Sequence, residues 1–235
     1  MPMKIALFAM PGLPLGKRNL KDPRLDQADQ LVEAKKKTYA QVDLLGDEGL
    51  LEADAILVAQ DSRADLILKD LEAVEIRLSR NPPEAEKAVL EKLKALLEDD
   101  RFIFAAGLPA EEMKAVAAHN FCTNKPILVV GPQEVDDPDP MVLRAFQESG
   151  YICFLTVGGK ENRAWPIRKG LSAWDAAGTI HSDIQKGFIR AEIIRFEDFI
   201  QAGGETEAKR AGKQRLETKT YVIQDYDLTN FRFNK

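Results

Sequence analysis

The C-terminal stretch Gly150–Lys235 constrains the fold of this 235-residue chain more than any other segment. Residues 151–157 form an apolar, β-branched and aromatic run that ends at two glycines, which predicts a strand and a turn. Residues 188–196 alternate between apolar and charged side chains, as a half-buried strand does. The other predicted elements are a strand at 163–167, a helix from 173 capped by Ser172, a helix at 205–215, and strands at 221–223 and 228–233. This order predicts a small mixed sheet with helices on one face.

Six motifs in this stretch carry a family resemblance. In order they read RAWPIRKG, AAGTIHSD, GFIRAEII, AKRAGKQRLE, YVIQDYD and FRFN, and they lie within residues 163–234. They resemble the C-terminal TGS domain of the YchF or Obg-like ATPase family. The resemblance implies a ubiquitin-like β-grasp fold for residues 150–235. It also implies a domain that associates with ribosomes or RNA and is not a catalyst.

The net charge of −5 is unevenly distributed along the chain. Residues 151–235 carry 14 Lys and Arg against 11 Asp and Glu, whereas the remainder carries 19 against 27. A modestly basic module on an acidic body is compatible with an RNA-facing end. An ordinary solvated surface explains the same counts equally well, because a dedicated nucleic-acid domain is usually more basic.

The sequence favours a cytoplasmic protein without a membrane partner. Cys122 and Cys153 lie in apolar runs and are predicted to be buried thiols instead of a disulfide or a metal pair. No run approaches the roughly 18 apolar residues that span a bilayer. Residues 1–16 superficially resemble a signal peptide, but Pro11, Gly12 and Pro14 interrupt the apolar run, which therefore predicts a first strand.

The segment after this strand has the position of a phosphate-binding loop. A working loop needs G-x-x-x-x-G-K-[ST], so that backbone N–H groups surround the phosphates, the lysine neutralises them and the hydroxyl ligates Mg²⁺. Here Gly12 and Gly16 are one residue too close, Lys17 is retained and Arg18 replaces the hydroxyl residue. The loop resembles GLPNVGKST of the family with one residue lost, which removes the metal ligand and strains the phosphate site.

Two switch elements of the resembling family are also reduced. VDLLG at 42–46 resembles the D-x-x-G element, in which Asp43 would hold Mg²⁺ through water and Gly46 would contact the γ-phosphate. A strand that ends in an Asp-capped turn explains the same residues. DPRLD at 22–26 resembles a motif that follows switch I, but here it comes directly after the loop, before a helix predicted at 27–37. Only a few residues separate VDLLG from the next strand, where the family has its catalytic switch loop.

Residues 125–134 resemble the family strand that carries the base-recognition element N-x-x-E. Gly131 replaces the asparagine, and glycine cannot form the paired hydrogen bonds that an amide makes with a purine. Glu134 remains. An acidic, proline-rich linker is predicted at 136–140, followed by a helix at 141–149.

Residues 63–80 and 84–97 show 3.6-residue apolar spacing and predict two helices separated by Asn81-Pro82-Pro83. They predict an antiparallel helical hairpin at the place where the family has a longer coiled-coil arm. A further helix is predicted from 108 to about 121. His119 lies on it and is expected to be a packed side chain.

No paired carboxylates, Cys/His cluster or Ser/His/Asp arrangement predicts catalysis. His181 is followed by Ser182 and Asp183, but side chains of adjacent residues point in different directions and do not form a triad. His181 is therefore interpreted as structural or as part of a binding surface. A basic and aromatic surface for RNA or another partner is predicted from Arg163, Trp165, Arg168, Lys169, His181, Lys186 and Arg190. A place in the core suits Trp165 equally well.

Taken together, the sequence predicts an α/β protein. Its expected parts are a reduced P-loop NTPase-like parallel sheet at 1–62 and 121–149, a helical hairpin insertion at 63–120, and a β-grasp TGS domain at 150–235. The leading functional hypothesis is a non-catalytic or regulatory protein that acts through the TGS domain on the ribosome or RNA. No catalytic residue, metal site or cofactor is expected, because phosphoryl transfer needs metal, phosphate loop and water positioning together.

Two alternatives remain open at this point. The first is a residual ATP or GTP binder that uses Mg²⁺ and has weak or no hydrolysis. Its binding residues would be Gly12, Gly16, Lys17, Asp43, Gly46 and Glu134. The second is a small-ligand sensor, in which the altered pocket holds another anion at a helix N-terminus.

Overall fold

The fold was analysed in a computed structural model that describes residues 2–132, 134 and 137–234. The strands are β1 (Met3–Phe8), β2 (Gly16–Asn19), β3 (Lys37–Thr38), β4 (Gln41–Leu45), β5 (Ala55–Ala59), β6 (Ile127–Val130), β7 (Tyr151–Thr156), β8 (Asn162–Arg168), β9 (Phe188–Ile194), β10 (Arg215–Glu217) and β11 (Leu228–Phe233). The helices are α1 (Pro23–Leu31), α2 (Arg63–Ser79), α3 (Glu84–Glu98), α4 (Ala110–Lys114), α5 (Pro138–Glu148), α6 (Ala173–Ile180), α7 (Ser182–Lys186), α8 (Phe196–Ala202) and α9 (Glu205–Arg210). The predicted mixed α/β class is confirmed.

The chain divides into two compact units. The first unit comprises Met1–Arg18 and Val42–Ser149, and the second comprises Asn19–Gln41 and Gly150–Lys235. The sequence predicts a first domain part that runs without interruption from residue 1 to 62. In the structure, residues 19–41 pack instead with the C-terminal residues.

The first unit contains a five-stranded sheet in the order β2-β4-β1-β5-β6. β1 is parallel to both β4 and β5, and β5 is parallel to β6. Strands of a parallel sheet are buried on both faces, which explains the continuous apolar runs of β1 and β5. Ile5, Ile56 and Leu57 are fully buried there.

Helices α2 and α3 of the first unit begin and end within one residue of the bounds predicted from apolar spacing. They share a core that includes Val74, Leu90 and Leu93, all of which are fully buried. Asp70 is a buried carboxylate on α2, and it accepts the backbone N–H groups of Cys122 at 3.0 Å and Thr123 at 2.6 Å. The charged side chain thus anchors the segment in front of β6 to α2.

The second unit contains a six-stranded sheet in the order β10-β9-β11-β7-β8-β3. β7 and β8 are antiparallel, as are β9 and β11, whereas β11 and β7 form a parallel pair at Leu228 and Leu155. Helix α6 covers one face with Ala173, Ala176 and Ala177, which are fully buried. Its first turn has a capping box, because Ser172 and Asp175 bond each other's backbone N–H groups.

Residues 19–41 belong to the second unit because they pair, pack and form hydrogen bonds with residues of that unit. β3 pairs in parallel with β8, and Leu25 and Ala28 of α1 are fully buried. Asn162 of β8 is also fully buried and donates to the Asp29 carboxylate at 2.7 Å and to the Val32 carbonyl at 2.6 Å. The local spacing of apolar residues in the sequence does not predict these contacts between distant segments.

The helix expected at 27–37 instead runs from Pro23 to Leu31. Asp22 is its N-cap, since its carboxylate accepts the Arg24 backbone N–H at 3.0 Å, and Pro23 occupies the first helical position. The expected linker at 136–140 is likewise corrected, because Asp137 caps a helix that begins at Pro138. Gln133 and Asp136, which two of the predicted segments include, lie outside the described residues.

Several shorter elements differ from the prediction. The helix expected at 205–215 ends at Arg210 and is followed by strand β10, while residues 221–223 make only one bridge, between Val222 and Ser172. The helix expected at 108–121 is reduced to α4 and short turns. Cys122 and Cys153 are buried free thiols, as predicted. None of the helices described is long and apolar enough to cross a bilayer.

Candidate functional site

The first unit has a cleft at the carboxyl edge of its sheet. β1, β4, β5 and β6 are parallel, so the loops that follow them meet at one edge, where open α/β sheets bind ligands. The cleft has a volume of about 510 Å³. Its lining residues are Leu7, Ala9, Met10, Pro11, Leu13, Leu15, Gly46, Asp47 and Glu48. It occupies the place where a phosphate loop and a D-x-x-G element would face a nucleotide.

The loop after β1 is fixed by a carboxylate instead of surrounding an anion. Ala9 has a positive φ of 56°, and its backbone N–H donates to Asp47 Oδ1 at 3.1 Å. Gly12 is exposed, and a Cβ atom placed there would meet no atom within 4 Å. The carboxylates of Asp47 and Glu48 add negative charge to the cleft wall, which opposes phosphate binding.

Gly16 and Lys17 were expected in a phosphate loop but lie in strand β2. Gly16 has a φ of 96°, which favours glycine, and Lys17 is exposed. Arg18, in the position of the hydroxyl residue, donates from Nε and Nη2 to Asp139 Oδ1 at 2.8 and 2.5 Å. Because β2 follows the loop directly, the described chain places no helix N-terminus behind Lys17, as an anion site of this type requires.

Asp43 and Gly46 fall at different places in the fold. Asp43 lies in the middle of β4, in register with Lys4 of β1. Gly46 lies at the cleft and opens a short turn in which its carbonyl accepts the Gly49 N–H at 2.9 Å. The carboxylate that reaches the loop after β1 belongs to Asp47, which the sequence interpretation missed. Its position directly after Gly46, the glycine that follows β4, was the available signal.

Glu134 makes hydrogen bonds within the first unit. Its Oε2 accepts the Gly131 backbone N–H at 2.9 Å, and its Oε1 accepts Arg144 Nη1 at 2.5 Å. These bonds, the Gly131 bond first, hold the pKa of Glu134 below its usual value. Of the six residues predicted to bind nucleotide, only Gly46 lines the cleft.

In the second unit, Arg163 and Trp165 lie on the core face of β8. The Arg163 guanidinium is 3.8 Å from the centre of the Trp165 ring, which is 6.3 Å from Phe154 in a stacked arrangement. The indole N–H donates to Thr156 Oγ1 at 2.9 Å, and the ring packs against the core. These contacts favour a place in the core for Trp165.

Arg168 and Arg190 lie on the opposite face of the sheet. Side chains alternate along a strand, so Arg168 faces away from Trp165, and Arg190 faces away from the buried Ala191. In addition, β11 and β7 separate β9 from β8. The structure therefore does not bring the predicted RNA-binding residues onto one surface.

The remaining predicted residues of this set lie in turns and at helix ends. His181 separates α6 from α7, and its Nδ1 accepts the Asp183 backbone N–H at 3.1 Å, as an N-cap. Lys186 is the last residue of α7, and Lys169 follows β8; both are exposed. Among the described residues, no group of His, Cys, Asp and Glu side chains is arranged to hold a metal ion.

Comparison with known proteins places the chain among relatives. The YchF-GTPase_C family model, described as a protein of unknown function (DUF933), matches residues 151–234. Ribosome-binding ATPase YchF of Haemophilus influenzae is 34% identical over 232 residues, which cover 72% of this chain and 64% of that protein. The protein of the same name in Bacillus subtilis is 31% identical over 235 residues with the same two shares. Obg-like ATPase 1 of Danio rerio is 45% identical over 98 residues, or 40% of this chain and 25% of that protein.

The structure of the Schizosaccharomyces pombe YchF GTPase aligns with 98% of this chain and 97% of that chain, with a TM-score of 0.77 at 18% identity. This likeness shows a shared fold. The chain spans 64% of the length of the Haemophilus influenzae and Bacillus subtilis relatives. On the family model, the similar sequences and the resemblance of the C-terminal motifs, the chain belongs to the YchF and Obg-like ATPase family.

Proposed function

We propose that the chain is a ribosome-associated protein that acts through its second unit and does not hydrolyse nucleotide by its family's route. The Haemophilus influenzae and Bacillus subtilis relatives are named ribosome-binding ATPase YchF, and the family model matches residues within this unit. We infer association with the ribosome for this chain from these relatives. The cytoplasm is the compartment that such a partner requires.

One observation carries the non-catalytic part of the proposal. Gly16 and Lys17 lie in strand β2, whereas a phosphate loop must expose successive backbone N–H groups to the ligand. Arg18 replaces the Mg²⁺-binding hydroxyl and is paired with Asp139. Phosphoryl transfer depends on phosphate loop, metal and water positioning acting together, so the loss of the first two removes the route.

We further infer that the sheet of the second unit is a β-grasp TGS domain. The order β10-β9-β11-β7-β8, with α6 packed across one face, supports this assignment. Residues 63–120, which include α2 and α3, are proposed to correspond to the helical arm of the family. Residues 1–62 and 121–149 then supply its reduced P-loop NTPase-like part, except for the 19–41 segment that packs with the second unit.

A residual nucleotide binder is the second candidate, and the size of the cleft favours it although the carboxylates of Asp47 and Glu48 do not. Its volume of about 510 Å³ lies within the range of small-molecule sites. Gly46 lines it at the position where a γ-phosphate contact is expected in the family. ATP or GTP with Mg²⁺ would be the ligand, with weak hydrolysis or none.

Calorimetric titration of the full chain with ATP and with GTP, each with Mg²⁺, distinguishes the two candidates. We expect no binding heat for either nucleotide. Micromolar binding that is lost in Lys17→Ala would show that the altered loop still works and would overturn the non-catalytic proposal. Asp61→Ala, which alters an exposed carboxylate outside the cleft lining, serves as the matched control.

Ribosome association is tested by co-sedimentation of the full chain with purified bacterial 70S ribosomes. We expect the chain to pellet with ribosomes at low salt and to be released as the salt concentration rises, because phosphate contacts dominate such binding. Absence of pelleting at 50 mM salt would contradict the proposal. The full chain is required, because residues 19–41 are part of the second unit.

A further inference from the structure

The sheet of the second unit has a gap between two of its strands. β7 and β11 are parallel neighbours, but their register includes only one residue pair, Leu155 with Leu228. β7 ends at Thr156, whereas β11 continues to Phe233. In the described part of the chain, β11 beyond Leu228 therefore has β9 on one side and no strand on the other. The side without a neighbour is called the free edge of β11.

Two glycines end β7 and open the gap. Gly158 and Gly159 have φ values of 89° and 67°, in the left-handed region that favours glycine. The Gly158 N–H donates to Asn162 Oδ1 at 2.8 Å, at the start of β8. Among the described residues, no backbone hydrogen bond joins positions 157–159 to β11. The chain thus turns back towards β8 and leaves the free edge of β11 uncovered.

The free edge of β11 carries main-chain hydrogen-bonding groups. Backbone groups of successive residues point to opposite sides of a strand in the ladder pattern. The Asp227 carbonyl accepts the Leu155 N–H at 2.9 Å and therefore faces β7, while the Asn234 N–H donates to the Gly187 carbonyl beside β9 at 2.9 Å. By this alternation, the N–H and C=O groups of Phe231 point into the gap. An uncovered row of such groups is a template for pairing with another extended chain.

A cleft of about 530 Å³ lies along this free edge. Residues 156–159 line one side of it, and residues 228–231 together with Phe233 line the other. Its lining includes side chains from both faces of the sheet, such as Phe231 on the α6 face and Asn230 on the opposite face. The cleft is therefore the gap in the sheet itself and not a groove on one face.

The lining on the α6 face is apolar. Ile180 and Ile184 line the cleft and pack against the core that contains Phe231. Phe233 lies on the same face as Phe231, because side chains two positions apart in a strand share a face, and it is 38% exposed. An extended chain in the gap would place every second side chain against these residues.

The rest of the lining includes polar side chains. Glu192 and Asn230 lie on the face opposite α6, and Glu205 of α9 also lines the cleft. Each carboxylate has a cationic partner outside the lining, Arg232 at 2.7 Å for Glu192 and Lys209 at 2.6 Å for Glu205. This side of the cleft therefore offers hydrogen-bond acceptors without a large unbalanced charge. It suits side chains that donate hydrogen bonds.

We propose that the gap beside β11 binds an extended peptide segment of a partner protein as an added strand. The segment pairs with the free edge of β11 through its main chain, which is the mode of β-strand addition. Its apolar side chains alternate with donors such as Thr or Lys, the former against Ile184 and Phe233 and the latter towards Asn230 and Glu205. The proposal does not depend on ribosome association. None of the seven residues predicted from sequence to form a partner surface lines this cleft.

The test measures binding of a fluorescein-labelled heptapeptide, Lys-Val-Thr-Val-Thr-Val-Lys, to the full chain by fluorescence anisotropy. Its five central residues match the length of the free edge at positions 229–233, and valine and threonine favour extended structure. Saturable binding is expected. The same peptide N-methylated at its five central residues cannot donate main-chain hydrogen bonds and should bind at least about tenfold more weakly. A peptide of the same composition with its valines in a row should also bind more weakly, because the alternation is lost.

Variants of the chain test the lining, each with a matched control. Phe233→Ala is expected to raise the peptide Kd about tenfold, because it removes apolar surface that the peptide covers. Leu216→Ala removes an exposed apolar side chain outside the cleft and should leave the Kd unchanged. Glu205→Gln is expected to raise the Kd about threefold, since a hydrogen bond to a charged group is stronger than one to an amide. Glu207→Gln changes the same charge on the same helix outside the lining and should have no effect.

Amide hydrogen exchange, followed by NMR, reports strand pairing without any substitution. The Phe231 amide should exchange at least about tenfold more slowly when the peptide is saturating, because a hydrogen bond then protects it. The Arg232 amide faces β9 and should be little affected. This readout also covers the case in which Phe233→Ala fails to fold.

Two results would overturn the proposal. The first is the absence of saturable binding, or binding that leaves the exchange of Phe231 unchanged. The second is equal affinity for the N-methylated peptide, which would identify the cleft as a site for apolar side chains alone and exclude an added strand. Co-sedimentation with ribosomes is measured separately, so its failure would not bear on the peptide site.

Discussion

The guanidinium carbon of Arg24 lies 3.6 Å from the centre of the Tyr226 ring in the second unit. The same guanidinium bonds the carboxylates of Asp22, at 2.7 Å, and Asp225, at 2.7 Å. Asp225 in turn accepts the Cys153 backbone N–H at 3.1 Å. The DPRLD motif thus joins α1 to the C-terminal sheet, which gives it a structural role in this chain.

Arg24→Ala is expected to lower the free energy of unfolding of the second unit by about 1–3 kcal/mol, because the Asp22 carboxylate that loses its partner is buried while Asp225 is partly exposed to solvent. The stability of Arg24→Lys should lie between those of the original chain and Arg24→Ala. Lysine keeps the charge but lacks the planar guanidinium group that reaches two carboxylates. Urea unfolding followed by tryptophan fluorescence measures the effect, since both tryptophans, Trp165 and Trp174, lie in the second unit. A loss below about 0.5 kcal/mol, the usual range for surface substitutions, would contradict the structural role.

Asn162→Ala is expected to destabilise the second unit by about 2 kcal/mol or more, because it leaves buried hydrogen-bonding groups without partners. The groups affected are the Val32 carbonyl, the Asp29 carboxylate and the Gly158 N–H, which donates to Asn162 Oδ1 at 2.8 Å. Asn162→Asp should be worse, since it places a second carboxylate beside Asp29. The same fluorescence measurement applies, and Leu216→Ala, at an exposed position of β10, serves as a comparison. If both Asn162 variants were as stable as the comparison variant, residues 19–41 would not be anchored at Asn162.

Asp70→Asn is expected to destabilise the first unit by about 1–3 kcal/mol, because an amide offers one acceptor oxygen to two backbone donors. Burial raises the pKa of Asp70, although the N–H groups of Thr123 and Cys122 oppose this effect. The raised pKa means that the folded chain binds this proton more tightly than the unfolded chain does. Asp70 therefore favours the folded state more as the pH falls through its folded pKa towards its unfolded value.

Unfolding of Asp70→Asn should be followed by circular dichroism at 222 nm, because α2 and α3 dominate the helix content of the first unit. The tryptophan signal of the second unit provides an internal reference. A variant that is as stable as the original chain at pH 7 would rule out the anchoring role of Asp70.

Glu86→Gln is expected to reduce stability at neutral pH but not near pH 2. Hydrogen bonds from Arg77 and then His119 lower the pKa of Glu86 to about 2, from an ordinary value of 4.5. A depressed folded pKa stabilises the folded state above the unfolded pKa, and this contribution is lost as the pH falls from 4.5 towards 2. Urea midpoints of both proteins at pH 7, 4 and 2.5 test this convergence. A difference that is constant over this range would exclude the titration of Glu86 as its source.

Local patterns in the sequence predicted the elements whose structure depends on their own residues. The apolar spacing of α2 and α3 and the alternation of β9 located these elements closely. Predictions failed where distant residues decide the structure. Strand β2 forms because β4 pairs with it, although Gly16 and Lys17 resemble a loop motif locally. The start of α1 does have a local signal, since Asp22 is a favoured N-cap residue and Pro23 a favoured first helical residue.

The candidate sites were less predictable than the fold for a related reason. A linear motif gives the order of residues but not which face of a strand each side chain occupies. Trp165 and Arg168 are three positions apart on β8 and therefore lie on opposite faces. Glu134 retained its motif position, yet Arg144 and the Gly131 N–H occupy its carboxylate.

The path of the chain has a consequence for its synthesis. The second unit needs residues 19–41, and it also needs residues 150–235, which leave the ribosome more than 100 residues later. During the intervening period, apolar side chains such as Leu25 and Ala28 of α1 have no sheet on which to pack. The residues of the first unit that follow can fold in that interval, as domains generally do during translation. The nascent chain therefore carries an exposed apolar segment until the strands of the second unit emerge, and during synthesis this segment is the part of α1 that is prone to aggregation.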